Sequence, residues 1–371
     1  MTSALPSDPF RILPWLKLQA VPGIGPLRFA RLMATFGDAD RVILASREEL
    51  ARTPGISPRI AGAIQHLRNQ ADTPFIQEIT TAQSEGVTMV GLGMDTYPKL
   101  LTEIPDPPPV LYFRGMLPWD GAAVAIVGSR NATRYGQDHA FRMASDLAAS
   151  GIVVVSGLAR GVDAAAHEGA LSAGGITLAV MGCGLRHLYP PEHRHLALRI
   201  EKSGALVSPF SMDTLPDAPN FPARNRIISG LCLGTAVIEA AERSGSLITA
   251  RLSAEQGREV FALPGNVRSV KSAGTHRLLR EGACLIENAD DIINELGLLP
   301  VIPPDRRKPE EENFLALDEI SVFKALDTCP VHIDELVRRT GMAAGALSAL
   351  LFTLELQGKV LQYPGKYFAK S

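Results

Sequence analysis

The chain has 371 residues, with 37 Lys and Arg against 39 Asp and Glu and a formal net charge of −2. That balance excludes a protein drawn to polyanions by its overall field, so any nucleic-acid contact must come from a local basic patch. With 46% apolar and 20% charged residues, the composition is that of a globular protein of two or three domains, neither disordered nor membrane-embedded.

Cys183, Cys232, Cys284 and Cys329 lie far apart, without a C-x-x-C pair, which excludes the usual zinc spacings and argues against a disulfide framework. The start, MTSALPSDPF, lacks a basic region ahead of an apolar stretch, and no segment has the length of a membrane span. The expected location is the cytoplasm, with no membrane contact, metal or cofactor.

Residues 1–80 are expected to form a helical domain. LQAVPGIGPLRFARLMATFG (18–37) is echoed by LARTPGISPRIAGAIQHL (50–67), with the Pro-Gly-Ile cores 32 residues apart. Each copy ends one helix, turns, and starts another, as in a helix-hairpin-helix or SAM-like pair. Such turns approach a DNA phosphate without reading bases; a helical packing or protein-contact module with capping glycines fits equally well. Over residues 1–72 there are nine Lys or Arg against six Asp or Glu, a balance of +3.

From 85 to 297 apolar strand patterns alternate with amphipathic helices, after a strand–helix–strand extension built from MVGLG, YPKLL and PPPVLYFRG. The strands are predicted at VAIVG, IVVVSG, ITLAVMG, ALVSPF, TAVIEA, EVFALPG and CLIE. This is the pattern of a Rossmann-like, doubly wound, mostly parallel sheet. A proline- and charge-rich linker (298–313) follows, and 314–371 reads as helix, helix, helix and two strands, the order of a winged helix. Its expected recognition helix, 343–357, holds no Lys or Arg, which disfavours reading of base edges. A partner-docking or auxiliary role suits it better.

Ligands of such sheets bind at the carboxyl ends of the strands. There lie Gly128, Ser129 and Arg130; then Gly157, Leu158, Ala159, Arg160 and Gly161; then Arg224, Asn225 and Arg226; then Ser246. Arg130, Arg160, Arg224 and Arg226 are expected in strand-end turns along one rim, where guanidinium groups grip phosphate. The first strand ends in VGSRNATRYG, not G-x-G-x-x-G, and no G-K-[ST] occurs, so NAD and ATP are not expected. Asp163 and His167 share a helix face but have no nucleophile beside them. A helix N-terminal charge and a core hydrogen bond account for them.

In this order, GSR, SGLARGVDAAAHEGAL, FPARNRIISGL, VIEA, SGSLITA and REVFALPG resemble the DprA, or Smf, family of DNA-processing proteins of bacterial transformation. The resemblance implies a single-stranded DNA-binding protein, not an enzyme, that forms a homodimer and loads RecA. It carries phosphate contacts onto Ser129, Arg130, Gly157 through Gly161, Arg224 and Arg226, with Asn225 orienting the loop. Alanine at Arg130 or Arg226 is then expected to weaken oligonucleotide binding. His276 stands where the family has asparagine. The alternative is a nucleotide phosphoribohydrolase of the lysine-decarboxylase-like group, which needs P-G-G-x-G-T-x-x-E. Here Asn266 follows Pro264-Gly265, and Leu278 falls where the glutamate should be, which removes the acid–base group. For the homodimer, the candidates are the helix SLITARLSAEQ and residues 274–281.

Overall fold

The computed structural model describes residues 9–117, 121–298, 317–327, 330–356 and 359–370. It divides into two compact units, one ending at Pro303 and the other beginning at Pro304. Apart from Leu298, the expected linker lies outside the described residues, as do Cys329 and Gln357.

The first unit opens with six helices: α1 Leu13–Gln19, α2 Pro26–Phe36, α3 Ala39–Leu44, α4 Arg47–Ala51, α5 Pro58–His66 and α6 Thr73–Ser84. The two Pro-Gly-Ile turns join α1 to α2 and α4 to α5. Pro26 and Pro58 start their helices, where the missing amide hydrogen costs nothing. The boundary expected near 80–85 is no break in packing. One apolar core runs from Ile12 through the sheet to Leu278. Trp15, 2% exposed, donates its indole N–H to the Leu92 carbonyl at 2.8 Å, and Glu78 on α6 accepts the Met212 amide at 2.9 Å. Truncating a buried tryptophan costs about 3–5 kcal/mol, so the helices are part of the sheet domain's core.

The chain continues through β1 Thr88–Gly91, α7 Lys99–Thr102, β2 Val110–Gly115, β3 Ala123–Val127, α8 Arg134–Ala149, β4 Val153–Ser156, α9 Val162–Ser172 and β5 Thr177–Val180. Then come α10 Arg194–Ser203, β6 Ala205–Ser208, α11 Asn220–Gly230, β7 Gly234–Val237, α12 Ser246–Glu255, β8 Glu259–Ala262, α13 Ala273–Arg280, β9 Cys284–Leu285 and α14 Ala289–Glu295. The sheet order is β1-β2-β6-β5-β4-β3-β7-β8-β9. Strands β3 to β9 pair in parallel, while the extension adds β2 antiparallel to β6 and β1 antiparallel to β2.

Strand alternation sorts side chains between two cores. Val124, Ile126 and Val154 join Met143 and Leu147 of α8, Ala166 of α9 and Ile292 of α14. Ala125, Val127 and Val155 join Ile227 of α11 and Leu247 of α12. The sheet is covered on both faces, which is why its central strands read as unbroken apolar runs. From β3 the chain winds outward to β6, then returns to β3's other side as β7. The reversal places a crevice between the loops that leave β3 and β7.

The second unit holds α15 Leu317–Ala325, β10 Val331–His332, α16 Ile333–Thr340, α17 Ala344–Leu356, β11 Val360–Tyr363 and β12 Tyr367–Lys370. Val322, Leu336, Leu347, Leu351 and Phe368 close its own small core. The predicted helix–helix–helix–strand–strand order is present, with the short β10 pairing β12. Among the described residues no helix is long and apolar enough to cross a membrane.

Candidate functional site

The crevice is a cleft of about 810 Å³, lined by Ser129, Arg130, Ala159, Tyr189, Phe221, Arg224, Asn225, Arg243 and Ser246 among others. The loops beneath it are laced together. Ser129 N–H donates to the Glu239 carbonyl at 2.7 Å, and Val162 N–H to the Ser129 carbonyl at 3.2 Å. Gly161 has φ +76°, and a Cβ there would overlap the Ser129 carbonyl, so a side chain would push the two loops apart.

The glycine turn is no empty anion cradle. The Asp163 carboxylate, at the start of α9, accepts the Gly157 and Ala159 amides at 3.1 and 3.3 Å. At the start of α8, Glu239 accepts from both the amide and the hydroxyl of Thr133. These two helix N-termini flank the switch point, where a dinucleotide fold would seat its phosphates. The loop amides ahead of α9 and the Thr133 amide ahead of α8 are each already taken by one of the protein's own carboxylates. Among the described residues lining the cleft, Asp163 is the only carboxylate. Leu278, in the place a hydrolase would need glutamate, is buried.

The four arginines do not share one environment. Arg130 is exposed, its guanidinium carbon 5.6 Å from the Phe221 ring centroid, and no carboxylate among the described residues pairs with it. Arg160 is exposed and ion-paired to Glu192. Arg224 is buried, donates to the Val180 carbonyl, and sits against Gly157, where a Cβ would overlap its guanidinium. Burial pulls its pKa down to about 10, with Asp163 opposing the shift.

Arg226 points elsewhere. It donates to the Asp106 carbonyl, its Nε lies 3.4 Å from the Asp106 carboxylate, and it is absent from the cleft lining. The segment expected as a strand-end turn is the helix α11, and two residues along a helix turn a side chain about 200° to the far side. Asn225 and Ser246 reach the cleft. Leu158 instead buries its side chain in the core, at φ +57°, and its carbonyl lies 2.8 Å from His193 Nδ1.

Arg243, exposed in the turn after β7, and the aromatic pair Tyr189 and Phe221, with ring centroids 5.4 Å apart, were not among the expected residues. The strand-end rule that selects Arg130 selects Arg243 equally. The aromatic pair forms through the fold, because its members are 32 positions apart in sequence. His276 has a structural place, with Nε2 3.1 Å from the Gly265 carbonyl.

His167 is fully buried, and Nδ1 lies 2.7 Å from Thr177 Oγ1. That hydroxyl spends its hydrogen on the Val154 carbonyl, so the histidine is the donor. Burial lowers its pKa from 6.5 to about 3. Below pH 6.5 the unfolded chain therefore takes up a proton that the folded chain refuses. Stability is expected to fall by about 1 kcal/mol per pH unit on acidification toward pH 3. Urea unfolding of wild type and His167→Gln, compared between pH 7 and 4.5, checks this: the variant should show the shallower pH dependence.

These features define a class: a doubly wound α/β protein whose switch-point cleft is cationic and aromatic, with its nucleotide-phosphate seats filled from within. The family profile described as DNA recombination-mediator protein A matches residues 88–297, and the DprA winged helix domain profile matches 303–366. Protein Smf of Synechocystis is 33% identical over 96% of this chain and 98% of its own length. Protein Smf of Escherichia coli is 40% identical over 73% and 74%. The X-ray structure of DprA from Streptococcus pneumoniae superposes with a TM-score of 0.66 at 32% identity, covering 78% of this chain and 98% of that one. A structure of DNA processing protein A from Helicobacter pylori, described for that protein's single-stranded DNA binding mode, has a TM-score of 0.51 at 33% identity, over 57% and 95%. The chain belongs to the DprA/Smf family of DNA-processing proteins.

Proposed function

We propose that this protein binds single-stranded DNA in the switch-point cleft, acts as a cytoplasmic homodimer, and delivers the strand to RecA without catalysing a reaction of its own. The observation that carries the binding step is Arg130, exposed, unpaired by any described carboxylate, and set over the Phe221 ring. Single strands are held by a positive groove that follows the backbone and by aromatic faces on which bases stack. Arg130 and Arg243 supply the first, and Tyr189 and Phe221 the second. Ser129, Ala159, Asn225 and Ser246 let a backbone come close, with Arg224 as the charged floor. Gly157 and Gly161 shape the loop, and Arg160 extends the positive rim once released from Glu192. A mononucleotide enzyme fits poorly, because its phosphate seats hold Asp163 and Glu239.

For the dimer, a groove of about 890 Å³ runs between α12 and α13 and includes Leu247, Ala254, Leu278 and Ala283. It adjoins the cleft at Arg243, Ser244 and Ile248, so a second copy there would set two clefts side by side. The RecA step rests on the resemblance to the family alone. The winged helix is read as an auxiliary or docking module, because α17 carries no lysine or arginine. Sedimentation with a labelled 30-nucleotide strand tests the reading: the strand should travel with twice the chain mass, and RecA filaments should start sooner on it than on strand alone. A monomeric complex removes the dimer, an unbound strand removes the whole proposal, and unaltered filament onset removes the RecA step.

A further inference from the structure

We propose that the two Pro-Gly turns of the N-terminal helices form a second nucleic-acid surface, which grips the sugar–phosphate backbone of duplex DNA. The first observation is charge segregation. Residues 21–36 and 51–70 contain Arg28, Arg31, Arg52, Arg59 and Arg68, and not one Asp or Glu. Arg68 is spent inside, on the carbonyls of Ile43 and Ala45. The other four are exposed, and the carboxylate close enough to Arg52 to feel its charge is Glu49, one helix turn before it, so a cluster of guanidiniums faces solvent on a protein whose net charge is −2.

The second observation is that these arginines hold the turns together. Arg28 donates to the Gly23 carbonyl at 2.7 Å and to the Gly55 carbonyl at 2.9 Å, and Arg31 reaches the Pro54 carbonyl at 3.3 Å. One side chain thus bridges two turns 32 residues apart in sequence. Pro22, Gly23, Pro54 and Gly55 remain exposed between the arginines. Small exposed tips let a phosphate backbone approach the charges closely, and two tips side by side can engage more than one phosphate.

The choice of duplex follows from what is missing among the described residues of these stretches. Their aromatic residues, Phe29 and Phe36, are turned inward, Phe29 fully and Phe36 partly, and both belong to or pack against the core. A single strand gains much of its affinity from stacking on aromatic faces, and this surface presents none. A duplex keeps its bases stacked inside and offers phosphates in dense rows. The surface is therefore complementary in chemistry to the cleft, and the two together suit a junction between paired and unpaired DNA.

The test uses the full chain, with Arg52→Glu/Arg59→Glu and the milder Arg52→Gln/Arg59→Gln as variants. Neither arginine makes a side-chain hydrogen bond among the described residues, so thermal unfolding should be unchanged. Fluorescence anisotropy is read for a blunt 20-base-pair duplex and a 20-nucleotide strand across a potassium chloride series. Duplex affinity should fall by about tenfold or more in the charge reversal, with a salt slope shallower by about 2, at roughly 0.9 for each phosphate left without its cation. Single-strand affinity should stay within about twofold, as the two surfaces predict. Unchanged duplex affinity in a folded variant overturns the proposal. So does an equal loss for both probes, or displacement of the duplex by polyglutamate at matched charge. Arg130→Ala/Arg243→Ala should lose the strand and keep the duplex, which separates failure of this surface from failure of the cleft.

Discussion

Replacing Arg130 and Arg243 together by alanine is expected to weaken binding of a single-stranded oligonucleotide by about 100-fold. A hydrogen bond to a charged group contributes about 1.5–3 kcal/mol, and about 1.4 kcal/mol is a factor of ten, so two such bonds bring the loss to that order. The salt slope should become shallower by about 1.4, since a single strand releases roughly 0.7 counterion for each phosphate neutralised. Stability should hold, because both side chains are exposed and neither is ion-paired to a described carboxylate. Arg226→Ala is the control: its guanidinium lies against Asp106, so affinity should change little. Anisotropy titrations at several salt concentrations measure all three, and a folded double variant with wild-type affinity would remove the cleft from the mechanism.

The largest effect on stability is expected at Arg224. Alanine there leaves the Asp163 carboxylate buried without its neighbouring positive charge, strips the Val180 carbonyl of a donor, and opens a void under Gly157. Removing one partner of a buried charge pair costs about 3–5 kcal/mol. Lysine should not restore it, because a point charge cannot reproduce a planar fork. Combining Arg224→Met with Asp163→Asn removes both charges and should recover part of the loss, since neighbouring partners are not additive. Urea denaturation reads this directly. A single-variant cost below about 1 kcal/mol would show that the guanidinium is not what supports the loop.

Much of the fold was legible because the sheet's two faces are both buried. Runs such as AVAIV have no alternation to confuse with a solvated strand, and each predicted strand lies within a few residues of the observed one. The position of the cleft followed from topology, since the reversal between β3 and β7 fixes which loops meet. Individual side chains were less legible. Arg224 and Arg226 look alike in FPARNR, and only the knowledge that this segment is helical separates one that enters the cleft from one that leaves it. The turn SGLARG reads as a phosphate cradle, yet Asp163, six positions after Gly157, is drawn back onto its amides. A sequence shows the donors but not which acceptor reaches them first. The single core joining the N-terminal helices to the sheet was also hidden, because Trp15 and Leu92 meet across 77 positions.

The carboxylates of Asp163 and Glu239, lodged at the starts of α9 and α8, bear on how such a protein works among abundant free metabolites. A pocket able to lodge one or two phosphates on helix amides would be filled by nucleoside triphosphates wherever they are plentiful, and a polymer would have to compete for it. Here the loop amides are taken, and what is left open in the cleft are the guanidiniums of Arg130 and Arg243. A single phosphate can touch one of them at a time; on the proposed reading, a chain of linked phosphates would engage both at once and gain avidity from the linkage. On that reading, selectivity for the polymer over its building blocks would come from denying the monomer its anchor, without recognition of any base.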